Sequence, residues 1–258
     1  MGNSNYLSVL SILNLAAFAA VIIVNTMAAT LPLNGLGTGE LSDLYPNLFV
    51  PAGLTFSIWG IIYLLLGGFS VYGVIASFNR NMDTSFLSII GPWFILSSAA
   101  NVSWIFAWHW KKLGLSLIIM LILLFTLIII YQKTSSAAAG ERTGAFFLTR
   151  LPFSIYLGWI TVATIANATA LLVNVKWGGF GLSDSVWTII MITAAVLITC
   201  LVIFSKGDWA YSLVVLWAFL GIILKRSSAG DASGVLIAAI AGMIIITVFF
   251  AVRKFIWT

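Results

Sequence analysis

Three sets of residues inside the apolar stretches of this chain have types and spacings that could do chemistry. Phe56, Trp59, Tyr63 and Gly67 recur at intervals of three or four, as do Asn101, Trp104 and Trp108, and then Tyr156, Trp159, Ala163 and Asn167. On an α-helix such residues share a face. Each set is therefore one stripe of aromatic side chains, and two of the three stripes carry an amide. Aromatic walls with a few polar tips are how a pocket for a flat, largely apolar ligand is built. The indole N–H groups of Trp59, Trp104 and Trp159 need acceptors away from the membrane interface. A buried amide in hydrocarbon must also find a partner, so Asn101 and Asn167 are expected to point into a helix bundle. The plainer reading of each asparagine is an interhelical hydrogen bond, common in membrane bundles and worth roughly 0.6 kcal/mol.

Other chemistries lack their residues. The chain has 258 residues, 62% of them hydrophobic and 7% charged, where a soluble domain carries about 25% charged residues. Every Asp, Glu, Lys and Arg falls in a short cluster between apolar runs. A carboxylate proton relay, a di-iron site and a paired-carboxylate hydrolase therefore have no acids to work with. Cys200 is the single cysteine, which excludes an intrachain disulfide framework and a thiolate metal cluster. His109 is the single histidine. It could offer at most one axial ligand to a haem iron, and a structural or interfacial role is the other reading. The net charge of +5 is spread over loops without a basic stripe, which reads as membrane topology and not as nucleic-acid binding.

The elements that must position these residues are membrane-spanning helices, each needing about 20 mostly apolar residues. Eight runs qualify: Leu7 to Ala29, Leu54 to Ser77, Phe86 to Trp108, Leu113 to Tyr131, Leu151 to Val173, Val186 to Ser205, Trp209 to Leu224 and Gly234 to Val252. The runs are continuous blocks without the alternation of an outer-membrane barrel, and the seventh is the shortest. The start of the chain lacks the basic residues of a cleavable signal peptide, so the first helix is expected to be retained. Placing the N-terminus in the cytoplasm puts Arg80, Lys133, Arg142, Arg150, Lys206, Arg253 and Lys254 inside. Lys111, Lys112, Lys176, Lys225 and Arg226 then lie outside, a slight bias in the permitted direction.

The segment Leu31 to Gly53, with Pro32, Pro46 and Pro51, is expected to be a shaped loop and not a helix. The connection from Lys133 to Arg150 is expected to have a flexible centre at Ser135 to Arg142. Trp93, Trp110, Trp177, Trp187, Trp209 and Trp257 fall at helix ends, where an interfacial belt accounts for them. Asn14 and Asn25 share a face of the first helix and read as packing contacts.

These motifs resemble a known pattern. Pro51, Trp59, Tyr63 and Gly67 are similar to the second-helix signature of the tryptophan-rich sensory protein family, also called the translocator protein family. Asn101 with Trp104 is similar to its third-helix motif, and Trp159, Ala163 and Asn167 to its fifth-helix motif. The departures are Gly53 and Thr55 where the family has Trp and Phe, Phe56 displaced by one, and Pro152 three residues farther from Trp159 than in the family. They fall at the mouth of the family's pocket and so bear on ligand identity.

The resemblance covers roughly Leu7 to Val175 and implies a five-helix bundle over 1–175. A three-helix extension over 176–258 would then pack as an accessory layer or mediate assembly, with a homodimer as the candidate. It further implies a multi-pass protein of the cell membrane with a porphyrin, haem or sterol-like ligand held by Phe56, Trp59, Tyr63, Asn101, Trp104, Trp108, Tyr156, Trp159, Ala163 and Asn167. A tetrapyrrole would be a ligand, not a required cofactor, and Lys111, Lys112 and Lys176 would be the cations available to its propionates.

Two other classes compete with a sensory or carrier role. A small-solute transporter would have enough helices, but an intramembrane carboxylate or a broken helix pair, the usual mark of driven transport, is not evident. An integral-membrane enzyme would have only Tyr63, Tyr156 and His109 as acid or base, and no nucleophile stands paired with a base. It ranks last.

Overall fold

The computed structural model describes residues 2–31, 33–137, 143–230 and 232–257. Pro32, and residues 138–142 at the centre of the Lys133–Arg150 connection, lie outside the described residues. Among the described residues the regular structure is all helical. The α-helices are α1 (Gly2–Thr30), α2 (Thr38–Asp43), α3 (Ile58–Phe78), α4 (Ser85–Ile90), α5 (Trp93–His109), α6 (Leu113–Ala137), α7 (Thr143–Thr149), α8 (Leu151–Asn174), α9 (Asp184–Lys206), α10 (Trp209–Ala229) and α11 (Ser233–Trp257).

Among the described residues, seven helical stretches are long and apolar enough to cross a membrane. With α5 this is an integral membrane bundle of seven to eight spanning helices. Large apolar side chains such as Leu64, Leu201 and Ile237 are 76%, 67% and 66% exposed, and only lipid accepts such surface without penalty.

Three expectations change. The third apolar run is not one helix but two, because Gly91 turns the backbone to φ 56° and Pro92 follows it. The Gly91 N–H closes α4 on the Leu87 carbonyl at 2.8 Å, and α5 restarts at Trp93 with 17 residues, the short end of the spanning range of roughly 17–25. The seventh helix starts where its apolar run does, with Asp208 capping it by accepting from the Ala210 and Tyr211 N–H groups, but it is longer, 21 residues reaching Ala229, and is closed there by Gly230 at φ 66°, whose N–H donates to the Arg226 carbonyl at 3.1 Å. The segment Leu31 to Gly53, expected to be a loop, contains α2 and a short 3-10 turn, Leu33–Gly35, and a second 3-10 turn, Gly53–Ser57, leads from its end into α3. In the other connection, helix runs on to Ala137 and resumes at Thr143 on either side of the undescribed centre.

The chain forms two compact units. The first comprises Met1–Thr38 and Trp59–Leu157. In it α5 packs on α1 and α6, and α4 on α1 and α6. Its core is ring on ring: Phe69 meets Phe86, Phe94 and Phe153 edge-on at 6.0, 5.1 and 5.0 Å between centroids, a geometry that places ring edges against π-faces. Polar contacts fasten the same layer, with the Ser11 and Ser77 hydroxyls 2.8 Å apart.

The second unit comprises Gly39–Ile58 and Gly158–Thr258. Here α10 packs on α9, α11 and the Gly53–Ser57 turn. The turn is fastened at two points. The Ala52 N–H donates to the Gly221 carbonyl at 3.0 Å, and the Trp217 indole donates to the Thr55 carbonyl at 2.9 Å. Gly221 permits this approach, because a Cβ there would run into the Thr55 hydroxyl and lie 2.7 Å from the Pro51 Cβ.

Candidate ligand site

Within the first unit, α3, α5 and α8 bring four of the expected site residues together. Trp59 stacks on Tyr63 at 5.4 Å and 21°, and meets the Tyr156 ring edge-on at 5.9 Å. Tyr156 and Asn101 are buried, while Trp59 and Tyr63 are half-buried. The Asn101 amide donates to the Tyr156 hydroxyl at 2.9 Å. The Asn101 carbonyl oxygen accepts from the Asn25 amide at 2.8 Å, and Asn25 also donates to the Val21 carbonyl at 2.9 Å. Three helices, α1, α5 and α8, are thus joined by one hydrogen-bonded chain that ends on a phenol. Because that hydroxyl accepts from Asn101, its own proton is left to donate.

Asn25 reads from sequence only as a packing contact, and the structure makes it the outer support of this chain. Its eleven-residue spacing from Asn14 placed both on one face, but the two sit at different depths. Only Asn25 meets Asn101, and both amide atoms of buried Asn14 lack a hydrogen-bond partner among the described residues.

Trp104 and Trp108, also of the expected set, are buried and stack on each other at 5.7 Å and 19°. The Trp108 indole donates to the Thr38 carbonyl at 3.3 Å. Next to it His109 is fully buried and holds the segment after α1 in place. Its Nδ1 lies 3.0 Å from the Leu33 carbonyl, and since a carbonyl only accepts, Nδ1 carries the proton. Nε2 lies 3.0 Å from the Thr38 hydroxyl, and the His109 carbonyl accepts from the Asn34 amide at 2.9 Å. With both ring nitrogens engaged, His109 is a clasp for the loop and is not presented as a ligand to iron.

The remaining expected residues belong to the second unit. Phe56 lies edge-on to Trp159 at 5.7 Å and 82°. Trp159 and Asn167 are buried. Ala163 and Asn167 follow Trp159 one and two turns along α8 on the same face. Nearby, Gly158 lets α8 approach α10, where a Cβ would lie 3.1 Å from Val214 and 3.2 Å from the Tyr211 carbonyl. The Tyr211 hydroxyl is 3.1 Å from that of Thr161.

A family model described as TSPO-like protein matches residues 11–252. The chain belongs to that family. The match runs beyond Val175, where the motif resemblance stops, through α9 and α10 to Val252 in α11, so the last three helices do not stand outside the family's pattern. One departure in the TSPO-like protein has a physical account in those helices: Thr55 is the residue that rests on Gly221 of α10. No curated protein and no solved structure matches the chain.

Proposed function

We propose that this TSPO-like protein binds a flat, largely apolar ligand, of the porphyrin, haem or sterol kind, against its aromatic helix faces in a sensory, regulatory or carrier role. The observation that carries the reading is the Tyr156 hydroxyl. It is fixed by Asn101, which Asn25 fixes in turn, and it retains a proton for an acceptor on a bound molecule. Around it lie the rings of Trp59 and Tyr63, and no charged side chain stands on these helix faces. A flat π-surface for stacking with one directed donor for orientation is the balance that small-molecule sites use. Lys111 and Lys112, exposed just beyond α5, supply cations for acidic substituents of a tetrapyrrole. The family membership supports the same reading.

The test is titration of the purified protein with protoporphyrin while tryptophan emission is followed. Saturable quenching, weakened by Trp59→Ala and by Tyr156→Phe, is the expected result. Quenching that is linear in ligand and indifferent to both substitutions overturns the proposal.

A further inference from the structure

The second unit holds a cavity of about 420 Å³ that none of the stripes predicts. It lies where α8 ends and α9 begins, closed on one side by Phe49 and Asn47, and its volume is within the range of roughly 300–1,000 Å³ usual for small-molecule sites. Trp177 and Trp187 line it, their rings 4.8 Å apart and tilted by 57°. The Trp187 N–H is already donated to the Gly179 carbonyl at 2.8 Å, so that indole offers an occupant its π-face and not a polar tip.

Two charged residues line the same cavity, Lys176 and Asp184. Both are exposed, and neither side chain has a hydrogen bond or ion pair among the described residues. Each charge alone suits its helix end, a cation after α8 and an anion at the start of α9. Lys176 nevertheless stands in a left-handed conformation, φ 52°, where the Lys176 and Trp177 N–H groups close the helix on the Val173 and Leu172 carbonyls. Glycine usually takes that position. Leu172 and Val173 from α8 and Met191 from α9 add an aliphatic stretch of wall, beside Thr169 and Thr188, whose hydroxyls are donated within their own helices.

We infer that this cavity binds the headgroup of a zwitterionic phospholipid. Its ammonium lies against Asp184 and the faces of the tryptophans, an arrangement suited to alkylated ammonium groups. Its phosphate meets Lys176, and its chains leave along Leu172, Val173 and Met191. A purely anionic amphiphile would meet the unpaired Asp184, and a purely cationic one the unpaired Lys176. The zwitterion satisfies both, and a membrane lipid also accounts for an aliphatic wall at the end of spanning helices. None of Trp59, Tyr63, Asn101 and Tyr156 lines this cavity.

The test uses the full chain in detergent micelles, presented with equal amounts of phosphatidylcholine and phosphatidylglycerol of the same chain length, and counts bound lipid by native mass spectrometry. Phosphatidylcholine is expected to be retained in preference. Asp184→Asn should remove that preference by about fivefold to tenfold, in line with loss of one charged contact. Lys176→Gln should weaken both lipids. A third arm adds free phosphocholine, which shares the headgroup but not the chains and is expected to compete only weakly. Equal retention of the two lipids by the wild type, indifference to Asp184→Asn, or competition by free phosphocholine as strong as by the lipid each overturns the inference. Circular dichroism of both variants, whose substitutions are at exposed side chains, separates loss of binding from loss of fold.

Discussion

Asn101 donates its amide to the hydroxyl of Tyr156 at 2.9 Å, joining two residues 55 apart in sequence on helices α5 and α8. The same asparagine accepts from Asn25 of α1 at 2.8 Å, so one side chain ties three helices. In lipid there is no water to replace either bond within the hydrocarbon region.

Replacing Asn101 with Ala removes both bonds and leaves the Tyr156 hydroxyl without its donor. A loss of about 1–2 kcal/mol is expected, the sum of two interhelical bonds plus a desolvated partner. Tyr156→Phe keeps the ring packing on Trp59 and removes one bond, for about 0.6 kcal/mol. Reversible unfolding in mixed micelles measures both, and an Asn101→Ala protein as stable as the wild type would show that the chain of bonds is not a structural tie.

Gly221 is the position at which the second unit should tolerate least. A Cβ there meets Thr55 and Pro51, and the Ala52 bond to the Gly221 carbonyl holds the two segments too close for either to yield. Gly221→Val is expected to lower stability by about 1–3 kcal/mol through overpacking, seen as a lower melting temperature in detergent. Thr55→Ala in the same chain should recover only part of the loss, because Pro51 still stands in the way.

His109→Ala should act on a loop and not on the bundle. The substitution releases the Leu33 carbonyl and the Thr38 hydroxyl, so amide exchange across Leu33–Thr38 is expected to speed up while α5 and α6 stay protected. Any haem absorbance produced on adding haem should be unchanged by the substitution. A Soret band that shifts or vanishes in His109→Ala would return the histidine to the role of an iron ligand.

Much of the fold is legible in the sequence because lipid is a demanding solvent. Continuous apolar runs can only be helices there, and charges confined to the gaps mark their ends. The break at Gly91 and Pro92 escapes a reading by hydropathy, since both neighbours are apolar and the interruption is a matter of backbone angle. The dipeptide itself is a turn signal, and weighing it above the hydropathy would have found α4 and α5. The stripes likewise disclose which residues share a face but not which meet. Asn25 and Asn14 are indistinguishable by periodicity, and only the depth of Asn101 on α5 selects between them. Trp177 and Trp187, read from sequence as interfacial belt, also meet each other at 4.8 Å, where Gly179, Phe180 and Gly181 all take positive φ and fold the α8–α9 connection back on itself. A tight succession of left-handed residues that includes a phenylalanine has no dependable mark in composition.

The most direct measurement is a structure of the protein with protoporphyrin bound. Ligand density is expected stacked on the Trp59 ring, with an acceptor within hydrogen-bond distance of the Tyr156 hydroxyl. Density found only elsewhere, with the Trp59 and Tyr156 rings still in edge contact at 5.9 Å as they are now, would contradict it.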